Sequence, residues 1–352
     1  MKVVVVGAGI AGLAAAWELM RAEAHFDIIV LESERRAGGV IVSEHVEGFL
    51  VEGGPDGFLA SESELPALAA ELGIAQSVVD QMARGTSVWS GSDLEPVEEG
   101  RAAAMLGIDL KGADVRSGFC TFARGMAQPV AALVEKLAGA IHFAQGASGL
   151  FRDAARWRIA ITGGSAYDAD AVVLALPAWA AGRLVETAGV RHGRSLAEVV
   201  YLPSVTVSLA YAADQIVRTL PGAGFVVGDP LAHLRACTFS SAKFPGRAPA
   251  DHVLLRAFLA PLDEDPAVVA HRELAAILQI RGAPLWARVF YWNRGLPRYR
   301  HDHQARVTDV RRQLARLPPL AIAGAGYDGA GVSACIRSGR EAGRAIARLM
   351  AR

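Results

Sequence analysis

Gly7, Gly9 and Gly12, with Ile10 and Ala11 between them, follow an all-valine run from Val3 to Val6 and open a stretch of helical composition. Glycines at this spacing let bare backbone approach a pyrophosphate, and the helix behind them aims its free N–H groups at the same anion. Asp27 to Leu31 is a second apolar strand. It ends in Glu32, about 20 positions beyond the turn, where a carboxylate accepts the ribose hydroxyls of an adenine dinucleotide. The stretch Ile322 to Val332 repeats the order of apolar strand, glycine turns and amphipathic helix, the helix running from Ser333 to the C-terminus. A second helix N-terminus is thereby aimed at a ligand. A secretory leader shares the charged start and the apolar run, but it has no use for glycines at this spacing.

Such residues need a parallel sheet behind them. Asp170 to Pro177 reads as a late buried strand and turn added to the first two, which makes the nucleotide domain discontinuous. Helices are expected from about Ser63 to Leu72, Gly125 to Leu137 and Pro266 to Gln279. Gly48 to Phe58 is a short strand breaking into a turn of high glycine density, and Arg84 to Gly118 is poorly patterned. From Tyr201 to Trp292 the pattern is rich in strands. The expected class is α/β: a Rossmann-like domain of residues 1–83, 118–198 and 317–352, and a second α+β domain on a mixed sheet, residues 84–117 and 199–316.

Of the 352 residues, 52% are hydrophobic, ample for sizeable cores, and 36 Lys and Arg balance 36 Asp and Glu. No global field recruits nucleic acid or an anionic membrane. Three scattered cysteines in no metal or redox spacing make the cytoplasm the expected compartment. No apolar run reaches the roughly 18 residues of a membrane span. His301 and His303 lack a third ligand at a supporting spacing, so no metal is expected. Lys243 reads as a surface lysine in a loop, and Cys335 as a small core residue.

Arg36-Ala37-Gly38-Gly39 is similar to the continuation by which flavoproteins wrap FAD. Taken with the motif Gly54 to Ala60, Cys237 to Pro245 running on through Leu254 to Phe258, Leu296 to Tyr299 with His303, and Gly326 to Val332 with Cys335, it resembles the oxygen-dependent porphyrinogen oxidases, relatives of amine oxidases and phytoene desaturases. The resemblance is collinear over most of the chain. It implies FAD, with Gly7, Gly9, Ile10, Ala11 and Gly12 against the pyrophosphate, Glu32 and Ser33 at the ribose, and Arg36, Gly39 and Val40 lining the cofactor. It also implies Ala147 at the adenine, Gly54, Pro55, Asp56 and Gly57 beside the flavin ring, Trp292 packed near it, and Gly331, Val332 and Ser333 at its pyrimidine edge.

The chain departs from the resemblance in three small ways: Arg298 where Gln is frequent, Asp302 where Gly stands, and Ala147 where Val is usual. The large departure is a helical, membrane-touching insert reduced to Val88 to Gly118, which leaves open peripheral membrane contact or a protein partner that completes the cavity. The chemistry implied is hydride transfer from a reduced tetrapyrrole to flavin with dioxygen as acceptor. It needs positioning rather than a catalytic triad. Arg101, Arg294 and Arg298 are candidates for the substrate carboxylates, because a guanidinium binds these with two parallel hydrogen bonds. Two alternatives stand beside this reading: an FAD oxidase or desaturase for another small molecule, and a non-catalytic flavin-binding partner of heme-pathway enzymes.

Overall fold

Four consecutive valines leave no polar face, so the strand Lys2–Val6 has to be covered on both sides. In the structure, a computed structural model describing residues 1–106, 114–190, 193–229 and 232–351, it lies at the centre of a five-stranded parallel sheet. The order across that sheet is Ile141–His142, Asp27–Leu31, Lys2–Val6, Ala171–Leu174, Leu320–Ile322. Val4 stands opposite both Ile29 and Val172. Val3 and Val5 pack under the N-terminal helix Ile10–Met20 and the C-terminal helix Val332–Met350. Val4 and Val6 face the other way. They pack with Trp157 and Ile159 of a small antiparallel sheet and with the helices Ala178–Thr187 and His303–Leu314.

The second sheet has seven strands, in the order Trp286–Arg298, Val200–Ala212, His252–Leu259, Leu234–Phe239, Gly224–Val227, Thr86–Trp89, Leu94–Val97. Alternation along His252–Leu259 assigns its two faces. Leu255, Ala257 and Leu259 pack with Ala270 and Leu274 of the helix Pro266–Leu278, whereas Leu254 packs with Phe49 and Val51 of the hairpin Ser43–Val46/Phe49–Glu52. Arg256 and Phe258 share the face of Leu254. This second face is therefore the one turned toward the Gly53–Gly57 turn that leaves the hairpin.

The α/β class holds, with a parallel sheet and a mixed one. Two segments differ from expectation. Part of Arg84 to Gly118 is ordered as the strands Thr86–Trp89 and Leu94–Val97 and the helix Glu99–Met105, while 107–113 lie outside the described residues. These four-residue strands carry no clean alternation because Thr86–Trp89 pairs, in parallel, with the distant Gly224–Val227. The helix His303–Leu314, which falls in the expected mixed-sheet domain, buries Val307, Val310 and Leu314 against the parallel sheet. The C-terminal helix spans Val332–Met350, within one residue of the expected start.

Candidate active site

The three glycines of the first turn do different work. Gly7 turns the chain with φ of +103°, a conformation open to glycine. A Cβ on Gly12 would stand 1.9 Å from the Gly7 carbonyl oxygen, so its bareness packs helix on strand. A Cβ on Gly9 would meet nothing within 4 Å. Gly9 borders open space in front of the N-terminal helix, where a pyrophosphate would meet the free N–H groups. Ile10 and Ala11 are buried behind it. Glu32, at the end of its strand, accepts the Ala8 N–H at 2.8 Å through Oε2 and the Ser33 hydroxyl and Glu34 N–H through Oε1. Ser33 itself is exposed. Gly146 lies against it, which brings Ala147 to the same end of the groove.

The groove continues in backbone. Gly9 bridges Gly38, and the Gly39 Cβ position is 3.7 Å from the Gly9 Cα. Arg36 clamps this loop, donating to the Gly39 carbonyl at 2.6 Å. Val40 follows with its side chain 44% exposed, and a Cβ on Gly54 would stand 1.8 Å from the Val40 carbonyl oxygen. On the other wall, Gly339 and Gly343 of the C-terminal helix sit against the carbonyls of Ala11 and Ala15, where a Cβ would come to 2.0 and 2.7 Å. The two helices are therefore parallel and nearly touching. The C-terminal one starts about six residues further out, roughly 9 Å at the helical rise. Gly331 at its N-cap is exposed, Val332 is half-buried, and the Ser333 hydroxyl is buried without a partner among the described residues. Gly39, Val40 and Gly54 thus lie between the open space at Gly9 and the second helix N-terminus, the line that a ligand with its anion at Gly9 and a ring system beyond it would follow.

Behind Gly53–Gly57 lies a buried ionic cluster. Glu52, 5% exposed, accepts Arg247 Nη1 at 3.0 Å, the Met126 N–H at 2.9 Å and the Ser43 hydroxyl at 2.6 Å. Burial pushes its carboxyl up from the ordinary range, against the pull of Arg247. Arg247 also donates to the Thr121 hydroxyl at 2.7 Å. The Gly53 carbonyl accepts from Trp292 Nε1 at 2.8 Å and from Arg256 Nη2 at 3.2 Å. Lys243, expected on the surface, is instead 11% exposed and paired with Asp56 at 2.9 Å, its ammonium over the Phe119 and Phe244 rings. The correction has a physical reason: Lys243 ends a short helix that turns back onto the Gly57 loop, and Phe244 buries beneath it.

Burial opposes ionisation of Asp56, but Lys243 and Arg256 overcome it and hold the carboxyl at about 2, below its ordinary 3.8. A carboxyl depressed in the folded chain contributes stability that is complete above its unfolded value and is lost as pH falls through the folded one. Unfolding free energy is expected to drop by roughly 1–2 kcal/mol from this pair between about pH 5 and pH 2. Lys243→Met should remove that part of the acid slope in urea titrations. Identical slopes for parent and variant would show that the pair does not stabilise the turn.

The substrate candidates are scattered. Arg101 is exposed on the helix Glu99–Met105, Arg294 stacks on the Trp179 ring at 4.3 Å, and Arg298 lies exposed at the far end of its strand. His303 is buried, its Nε2 donating to the Tyr327 carbonyl at 3.2 Å, and no group of three metal-binding side chains occurs among the described residues. Cys335 is buried, and burial pushes its thiol up to about 12. Glu52, Arg247 and Arg256 were missed as site-supporting residues. A signal was legible for Glu52 and Arg256, a lone charge beside apolar residues in a buried strand, as in Phe49-Leu50-Val51-Glu52 and Leu254-Leu255-Arg256-Ala257-Phe258, and none for Arg247.

The profile of the flavin containing amine oxidoreductases matches residues 10–91 and 79–347, nearly the whole chain. The chain belongs to this family. It is an FAD-dependent oxidoreductase, and the groove fits that cofactor: Gly9, Gly39 and Gly331 leave space where side chains would intrude, and Ser333 holds an unused hydroxyl. Among its relatives, the coproporphyrinogen III oxidase of Mycobacterium tuberculosis is 26% identical over 97% of this chain and 96% of its own length. That of Bacillus subtilis is 22% identical over the same shares. A solved structure from Exiguobacterium sp., whose name proposes protoporphyrinogen oxidase activity, superposes with a TM-score of 0.83 at 21% identity, covering 99% of this chain and 98% of that one. The mycobacterial alignment runs over 441 positions, which leaves about 100 that the relative has and this chain lacks. The two matched stretches of the profile meet at the strand Thr86–Trp89.

Proposed function

We propose that this oxidoreductase converts a porphyrinogen, coproporphyrinogen III or protoporphyrinogen IX, to the porphyrin with dioxygen as acceptor. The observation that carries the reading is the similarity to coproporphyrinogen III oxidases from several bacteria over 96–97% of this chain. When bound, FAD supplies the acceptor for hydride from a substrate carbon and passes the electrons to oxygen, giving hydrogen peroxide.

The chain's own share is positioning and exclusion of water. The Gly53–Gly57 turn brings bare backbone to the ring, Trp292 locks that turn through the Gly53 carbonyl, and the N-terminus of Val332–Met350 offers backbone donors to charge developing on the cofactor. Arg294, over the Trp179 ring, offers the planar fork suited to a propionate. On this reading the roughly 100 positions that the mycobacterial relative has and this chain lacks belong to the roof over the tetrapyrrole.

Anaerobic mixing of the flavin-loaded protein with coproporphyrinogen III, followed at the oxidised-flavin absorbance, tests the proposal. Bleaching within seconds, and porphyrin formed on admitting air, is the expected result. A flavin that stays oxidised with both porphyrinogens would refute it.

A further inference from the structure

The Gly53 carbonyl receives two donors from the mixed sheet, and the one from Arg256 is out of the ordinary. Arg256 is 4% exposed, its guanidinium lies over the Phe258 ring, and its Nε has no partner among the described residues. A buried guanidinium with an unused N–H is costly unless charge nearby compensates it. The compensation falls short here. Lys243, Arg247 and Arg256 carry three positive charges, and Glu52 and Asp56 return two negative ones. Glu52 is taken by Arg247 and Asp56 by Lys243, so the surplus charge is that of Arg256. Burial pulls its proton affinity down, while Asp56 and Glu52 hold it up.

The surplus charge lies close to the groove. Gly9, Gly39, Val40 and Gly54 form a continuous line of backbone contacts, and Gly53, whose carbonyl Arg256 grips, is the next residue on that line. A flavin laid from Gly9 past Gly39 places its ring against this turn. Reduction adds negative charge to the ring, and a fixed cation in a dry site stabilises that state more than the oxidised one.

We propose that Arg256 is a positioning residue that acts on the cofactor through the Gly53 peptide, fixing that turn and, as the surplus cation of the buried cluster, raising the reduction potential of the bound flavin. The inference rests on the flavin placement above and is independent of which substrate is oxidised. Potentials measured against reference dyes test it with variants of opposite sign. Arg256→Gln should lower the ratio of reduced to oxidised flavin about tenfold at fixed potential, a shift of about 30 mV for a two-electron couple. Arg256→Lys should restore most of it. Asp56→Asn, which removes a negative charge from the same cluster, should move the potential the other way.

Structural damage alone would lower flavin content in both variants without moving their potentials apart. Equal potentials in the parent and the flavin-loaded variants would overturn the proposal. If Arg256→Gln fails to load flavin, the comparison of parent with Asp56→Asn decides by itself: a raised potential supports the proposal and an unchanged or lowered one refutes it. Parent protein that binds no flavin would instead overturn the placement on which the inference rests.

Discussion

Gly9→Val protein is expected to be colourless yet as heat-stable as the parent apoprotein, whereas Gly12→Val protein is expected to be both colourless and unstable. The two residues are three positions apart in one turn, and their surroundings differ completely. A Cβ at Gly9 meets nothing, so the folded chain tolerates it and only a ligand against the helix N-terminus would notice. Loss of FAD affinity of about 100-fold or more, about 3 kcal/mol, is expected. A Cβ at Gly12 lies 1.9 Å from the Gly7 oxygen, and backbone cannot move aside as a flexible side chain would. The strand and the helix must separate, at a cost at or above the roughly 1–3 kcal/mol of an overpacked core. Flavin absorbance per protein and melting of the apoproteins measure both. A Gly9→Val protein that binds FAD as the parent does would move the pyrophosphate away from this turn.

The second large effect belongs to Arg247. Replacing it with methionine leaves Glu52, 5% exposed, without its counter-ion and strands the Thr121 hydroxyl. Breaking one side of a buried pair costs about 3–5 kcal/mol. Adding Glu52→Gln should recover at least half of that loss, because glutamine keeps an acceptor for the Met126 N–H and needs no counter-ion. Urea unfolding of the apoproteins gives the comparison. A single variant losing less than about 1 kcal/mol would show that the hairpin is held by its apolar contacts and not by this pair.

The sequence was most informative where one local pattern had one physical solution. Val3 to Val6 with Gly7, Gly9 and Gly12 admit a buried strand, a turn and a helix in one order, and the second strand, the late strand at Ala171 and the helix after Gly331 followed from the same logic. Those strands, the glycine turn and the helices behind them were legible for that reason. Lys243 was misread because its partner is 187 positions earlier, and nothing in Ala242-Lys243-Phe244 announces Asp56. Arg256 and Glu52 stood out only as charges among apolar neighbours, which indicates that a partner exists without saying which. The strands Thr86–Trp89 and Leu94–Val97 escaped because short strands take their identity from neighbours, here a strand well over 100 residues later.

The division of the groove between the first helix and the last one described has a consequence for how the protein is made. The opening strand borders Ala171–Leu174, that strand borders Leu320–Ile322, and the helix that completes the groove begins only at Val332. The Gly53 turn likewise waits for Arg256 and Trp292, more than 200 positions later in synthesis. Contacts this distant form late, after their loop-closure entropy has been met. On this placement the cofactor meets both helix N-termini together only in a nearly complete fold, so FAD binding is expected to follow most of folding rather than to template its early stages.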